Sequence, residues 1–196
     1  MLKTVYLTSR RFDLPSKKFK QALSKELEGR GVKVVTALAL DTFNSLRRHK
    51  TYGIALAFDF YRDGGTGCGL TLNKNCSYIG RDFAYSLSNC LDELTPSVWW
   101  RDLKFVDSDD REWYRFFNKV SSNTKAIIYL CTYDNKADFE RYSIAFKEIV
   151  KLFADEIVRC IRSNYDAGEY RKKVKLAKLK TRKLTKINER NEGLGE

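Results

Sequence analysis

Two short segments constrain this chain more than any total. GIALAFDF (53–60) and KAIIYLCTY (125–133) are apolar at nearly every position rather than at alternate ones. A strand reads this way when both of its faces are covered, as in the middle of a sheet layered with helices. KTVYLTSRRF (3–12) and VKVVTALAL (32–40) begin as further strands. Between the strands lie windows of helical period. PSKKFKQALSKELEGRG (15–31) places Phe19, Leu23 and Leu27 on one face, with Ser16 as its cap and Gly29 or Gly31 as its stop. SYIGRDFAYSLSNCLDEL (77–94) turns Ile79, Phe83, Leu87, Cys90, Leu91 and Leu94 inward. The long window 137–165 does the same with Phe139, Ile144, Phe146, Ile149, Val150, Phe153, Ile157 and Ile161.

Shorter helices are expected over DTFNSLRRHKTY (41–52) and REWYRFFNKV (111–120). GLTL (69–72) reads as an edge strand, and WWRDLKFVDSDD (99–110) as loop with a short strand. Strands that alternate with helices long enough to cross a sheet predict an α/β fold. The expectation is a three-layer domain with a mostly parallel central sheet flanked by helices over residues 1–166. A basic helical tail follows over 167–196, divided from the domain at Ala167-Gly168.

At 196 residues and 43% hydrophobic, the chain is long enough to bury one core. It has no apolar run of about 18 residues to cross a membrane. Its start, MLKTVYLTSRR, reads as no signal peptide, so a cytoplasmic or virion-associated location is expected. Five cysteines, at 68, 76, 90, 131 and 160, form no CxxC pair and point to a reducing compartment. Cys90, Cys131 and Cys160 read as core residues, whereas Cys68 reads as an exposed thiol in a turn.

The single histidine, His49, excludes most hydrolytic machinery. Zinc hydrolases use two or three imidazoles, and serine or cysteine hydrolases use a histidine base. His49 lies in the basic stretch LRRHKTYG and reads as a surface residue. No metal and no cofactor are expected.

The net charge of +12 is concentrated at one end. Residues 169–190 hold ten lysines and arginines against two glutamates, a net of +8, which leaves +4 for the rest. In that tail Tyr170, Val174, Leu176, Leu184 and Ile187 fall on a common apolar side, with Lys172, Lys173 and Lys180 among the cations opposite. Such a helix can dock on a protein partner in a larger assembly, bind nucleic-acid backbone through residues 169–190, or lie on a membrane surface. Trp99 and Trp100, beside Arg101, form a possible aromatic contact for a sugar, a base or a partner.

LAFDFYRDGGTGCG (56–69) runs an apolar strand into Asp59 and then into a glycine-rich turn. The turn lacks the Lys-Ser/Thr of a phosphate-binding loop and reads as a plain tight turn. Together with AIIYLCTYDNKADFERY (126–142) and DTFNSLRRH (41–49), it resembles the zinc-dependent N-acetylmuramoyl-L-alanine amidases, which cut peptidoglycan between sugar and stem peptide. The resemblance covers about residues 2–165 and implies the three-layer fold. Phe60, Gly64, Gly65, Thr66 and Gly67 match the family's glycine segment, and Asp134-Asn135 its late Asp-Asn dipeptide.

The family's working residues do not carry over. Arg11 stands near the first zinc histidine and Asp13 near the glutamate ligand. Asp59 takes the place of the second histidine, and Tyr129 lies nearest the catalytic glutamate. The resemblance therefore implies a degenerate metal site. Asp59 either forms a bidentate ion pair with Arg11 in place of the metal, or caps the glycine turn and faces water. The functional expectation is a catalytically inactive, amidase-like domain reused as a structural or interaction module. A phage virion or tail-assembly role would then have the C-terminal helix docked on a partner. A nucleic-acid binder is the alternative, and a peptidoglycan amidase with an altered metal site the second alternative.

Overall fold

The two wholly apolar segments become the two central strands of a six-stranded sheet. A computed structural model describes residues 4–10, 13–36, 53–76, 78–94, 100–106, 114–120, 122 and 124–162. Its elements run β1 (Val5–Ser9), α1 (Leu14–Gly29), β2 (Val34–Thr36), β3 (Ile54–Tyr61), β4 (Cys68–Asn73), α2 (Tyr78–Leu94), β5 (Trp100–Val106), α3 (Tyr114–Lys119) and β6 (Lys125–Thr132). A last helix, α4, occupies residues 136–162. The strand order is β2-β1-β3-β6-β4-β5. Neighbours are parallel except β4 and β6, which are antiparallel. A compact unit covers Met1–Val158, and Arg159–Glu196 forms a second unit. No helix among the described residues is long and apolar enough to cross a membrane.

Alternation along β3 builds the two outer layers. Phe58 points to one face, where it meets Phe19 of α1 at 5.0 Å and Phe153 of α4 at 6.3 Å between ring centroids. Ala55 and Ala57 point to the other, where they join Tyr6 and Ile127 against Phe116 and Phe117 of α3. Small alanines there leave room for the phenylalanines. This is the three-layer α/β arrangement that the strand and helix pattern predicts.

Several local expectations are corrected. The cap of α1 is Asp13, in extended backbone, rather than Ser16. Ser16 is buried inside the first turn and donates a hydrogen bond back to the Asp13 carboxylate. Gly31, at φ +76°, closes the helix, since only glycine enters that region without strain. GLTL is an interior strand, because β5, longer than the short strand expected, pairs along its outer side. Cys68 is buried rather than exposed. On α4 Ile144 is 80% exposed, and Tyr142 and Ala145 take the inward positions. The segments 37–52 and 167–196, with His49 and all the named tail residues, lie outside the described residues.

Candidate functional site

β1 ends beside Phe58 of β3, and the residues that follow at that level form one row across the sheet. Ser9 pairs with Phe58, so Arg10 extends the register to lie beside Asp59. Asp59 pairs with Tyr129, and Tyr129 with Gly69 of β4. The row thus crosses four strands as Arg10, Asp59, Tyr129, Gly69.

Asp59 is fully buried. Its Oδ1 accepts the Phe60 N–H at 2.8 Å. Its Oδ2 lies 3.1 Å from Nε of Arg10, an ion pair whose geometry does not align as a hydrogen bond. The arginine is 44% exposed and connects the carboxylate to solvent. Burial pushes the Asp59 carboxyl up to about 6; the Phe60 N–H and then Arg10 act the other way. Two more buried polar atoms without a hydrogen-bond partner, Thr8 Oγ1 and Ser9 Oγ, sit at the end of β1.

A second carboxylate–guanidinium pair lies nearby. Asp13 is buried at the start of α1, and Nη2 of Arg62 donates to its Oδ1 at 2.5 Å. The Arg62 guanidinium also lies 4.6 Å over the ring of Tyr133. Asp13 and Arg62 both act on the Asp59 carboxyl through space, in opposite directions.

The burial of Asp59 corrects one of its two readings. It does not face water, and its described partner is Arg10, one residue before the Arg11 expected. Arg11 lies outside the described residues. Asp13 caps α1, and Tyr129 lies within β6 as the register neighbour of Asp59. Trp99 and the tail positions are outside the described residues, and Trp100 enters only as the first residue of β5. Sequence reasoning missed Tyr61. Its ring stacks on Tyr129, with centroids 4.3 Å apart and planes within 6°. The signal was available, since Tyr61 lies two residues from Asp59 on the same strand face.

The glycine turn holds no free cradle for an anion. The Gly64 N–H donates to Asp134 at 3.0 Å and the Gly67 N–H to Asp138 at 2.6 Å. Asn135 donates to the Gly65 carbonyl at 3.0 Å. The Asp-Asn segment is therefore the clamp of the glycine segment.

No family model matches the chain, and no curated protein sequence does. Its fold is shared with solved structures. The catalytic domain of the CD27L endolysin targeting Clostridia difficile superposes with a TM-score of 0.62 at 15% identity, over 80% of this chain and 97% of that one. A putative N-acetylmuramoyl-L-alanine amidase from Neisseria meningitidis gives 0.59 at 14% identity, over 80% and 94%. An N-acetylmuramoyl-L-alanine amidase from Clostridium difficile 630 gives 0.58 at 12% identity, over 84% and 97%. The fold is that of these amidases. At such identities the likeness is one of fold.

These neighbours correct the expectation of a non-enzymatic structural module. The solved structures that share the fold carry amidase and endolysin names, and nothing in them supports a tail-assembly role. A divalent metal does not fit the described residues of this site. Asp59 and Asp13 each already contact a guanidinium, whose charge would repel a dication. Among the described residues no group of three His, Cys, Asp or Glu side chains could hold one.

Proposed function

We propose that the chain hydrolyses an amide bond in peptidoglycan, of the N-acetylmuramoyl–L-alanine type, with Asp59 as general base. The observation that carries this reading is the Asp59 carboxylate, buried at the strand ends beside Arg10 with its pKa raised to about 6. A base is most effective when its pKa lies near the working pH. Asp59 takes a proton from water as the water oxygen attacks the carbonyl carbon. The Arg10 guanidinium faces the oxygen that becomes negative. The proton then passes to the leaving nitrogen as the C–N bond breaks, which regenerates the carboxylate and releases an acid and an amine.

The supports are the fold shared with amidases and this pair of groups at its strand ends. The test is release of new amino groups from isolated cell walls. The expected result is release by the wild type that persists in chelator and falls sharply in Asp59→Asn. Absence of release by the folded wild type, with or without added metal, overturns the proposal.

A further inference from the structure

We propose that the outer edge of β5 is an interface for a second copy of this chain, paired strand against strand about a two-fold axis at Leu103. The pairing does not depend on the chemistry at Asp59.

β5 (Trp100–Val106) is the last strand in the order of the sheet, and among the described residues it pairs only with β4. The ladder with β4 fixes which backbone groups of β5 face outward. Val106 aligns with Asn73, and its carbonyl accepts the Lys74 N–H at 3.0 Å. In a parallel ladder a residue bonded this way turns both its N–H and its C=O to the neighbour, and the residues alternating with it turn theirs away. The register is regular from Asp102 to Val106. Asp102, Lys104 and Val106 therefore face β4 with their backbone groups, and Leu103 and Phe105 present theirs to the outside. Lys104 and Phe105 are exposed, so the edge is open there.

Outward N–H and C=O groups on an open edge are matched most fully by another strand. The sequence of β5 fits a copy of itself in one register. Antiparallel self-pairing has to set outward residues opposite outward residues, so the axis passes through a residue and not between two. An axis at Arg101, Asp102 or Lys104 sets like charges against each other, and one at Phe105 leaves only the end of the strand paired. An axis at Leu103 sets leucine against leucine, and Asp102 of each copy against Lys104 of the other. Arg101 then stands opposite Phe105. The Asp102–Lys104 positions are the non-hydrogen-bonded ones, where opposed side chains come closest, and the charge match is made on both sides of the axis. Such a dimer is closed, because the edge left at each end is β2, only three residues long. A seven-residue edge buries less than the roughly 1,600 Å² of a standard interface, so a dissociation constant of about 10–100 μM is expected.

The test is sedimentation of the full chain from about 5 to 300 μM, where a reversible monomer–dimer equilibrium is expected. Asp102→Lys and Lys104→Asp each set like charges across the axis and should weaken the dimer by about tenfold or more. Mixed in equal amounts, the two variants are complementary again, lysines against aspartates, and should recover the dimer. Thermal unfolding identifies a variant that fails to fold. The double change Asp102→Lys with Lys104→Asp, which restores the match in every copy, carries the comparison in that case.

A chain that stays monomeric to about 300 μM overturns the proposal. A dimer that both single changes leave intact also overturns it, because the contact then lies elsewhere. So do folded single variants that lose the dimer and regain it neither on mixing nor in the double variant.

Discussion

Asp59 is a carboxylate that the fold makes hard to ionise, and its titration has a defined sign. Its pKa rises from 3.8 in the unfolded chain to about 6 in the fold, chiefly through burial. Between these values the folded state binds the proton more tightly than the unfolded state does. Stability from this group is therefore highest near pH 4, falls as pH rises to about 6, and is level above that, for a cost of roughly 3 kcal/mol at neutrality. Asp59→Asn should abolish this slope. It should also leave the protein at pH 7 at least as stable as the wild type, because the stranded Arg10 is half exposed and returns to water at a cost of about 1 kcal/mol or less. Urea midpoints of both proteins at pH 4.5 and 7 check this. A difference between them that is the same at both pH values would show that Asp59 is not perturbed. Activity runs the opposite way, since the base must be ionised. Amine release should increase as pH rises through about 6 and drop about 10²- to 10⁴-fold in Asp59→Asn.

At the scale of elements, the loop after β3 and the start of α4 are one construction. The carboxylates of Asp134 and Asp138 take the N–H groups of Gly64 and Gly67, and Thr132 donates to the Gly67 carbonyl at 3.3 Å. Gly64 and Gly67 both have positive φ, at 69° and 102°, which explains why glycine recurs there. Asp138 is 1% exposed and also receives Arg141 at 3.4 Å, so its loss strands a buried donor and unpairs a cation. Asp138→Ala should destabilise by about 1–3 kcal/mol. Asp134→Ala, whose bond is exposed, should cost less than about 1 kcal/mol. Equal effects in chemical denaturation would refute the clamp. The motif was legible in the sequence as a glycine segment and a distant Asp-Asn. Its purpose was not, because the two halves are 70 residues apart and meet only once β3 and β6 are paired. The same holds for the Arg10–Asp59 pair. The sequence shows a charged residue ending each strand, but which of two consecutive arginines faces it depends on the register between β1 and β3.

For the molecule as a whole, the central strands and the three layers could be read directly, because continuous apolar runs and helical periods are strong signals. The place of β4 could not. GLTL is short, and an interior position follows only from the pairing of β5 along its far side, where the sequence WRDLKFV alternates charge with apolar residues as an edge does. One residue ties the sheet to both helices of one outer layer. Phe19 of α1 contacts Phe58 on β3 at 5.0 Å and Phe153, Phe146 and Tyr142 on α4 at 5.4, 6.0 and 6.4 Å. It is fully buried, so truncation leaves a cavity bounded by three elements that cannot collapse independently. Phe19→Ala should therefore cost about 3–5 kcal/mol, the upper part of the range for core truncations. Phe19→Leu should cost markedly less because it fills most of the volume. Since Asp13 caps α1 and Arg62 directly follows β3, loosening this contact should also free the Asp13–Arg62 pair and lower amine release in Phe19→Leu before the fold is lost. Denaturation midpoints and release rates measured on the same samples check both parts. An alanine variant within about 1 kcal/mol of the wild type would show that the layers are held elsewhere.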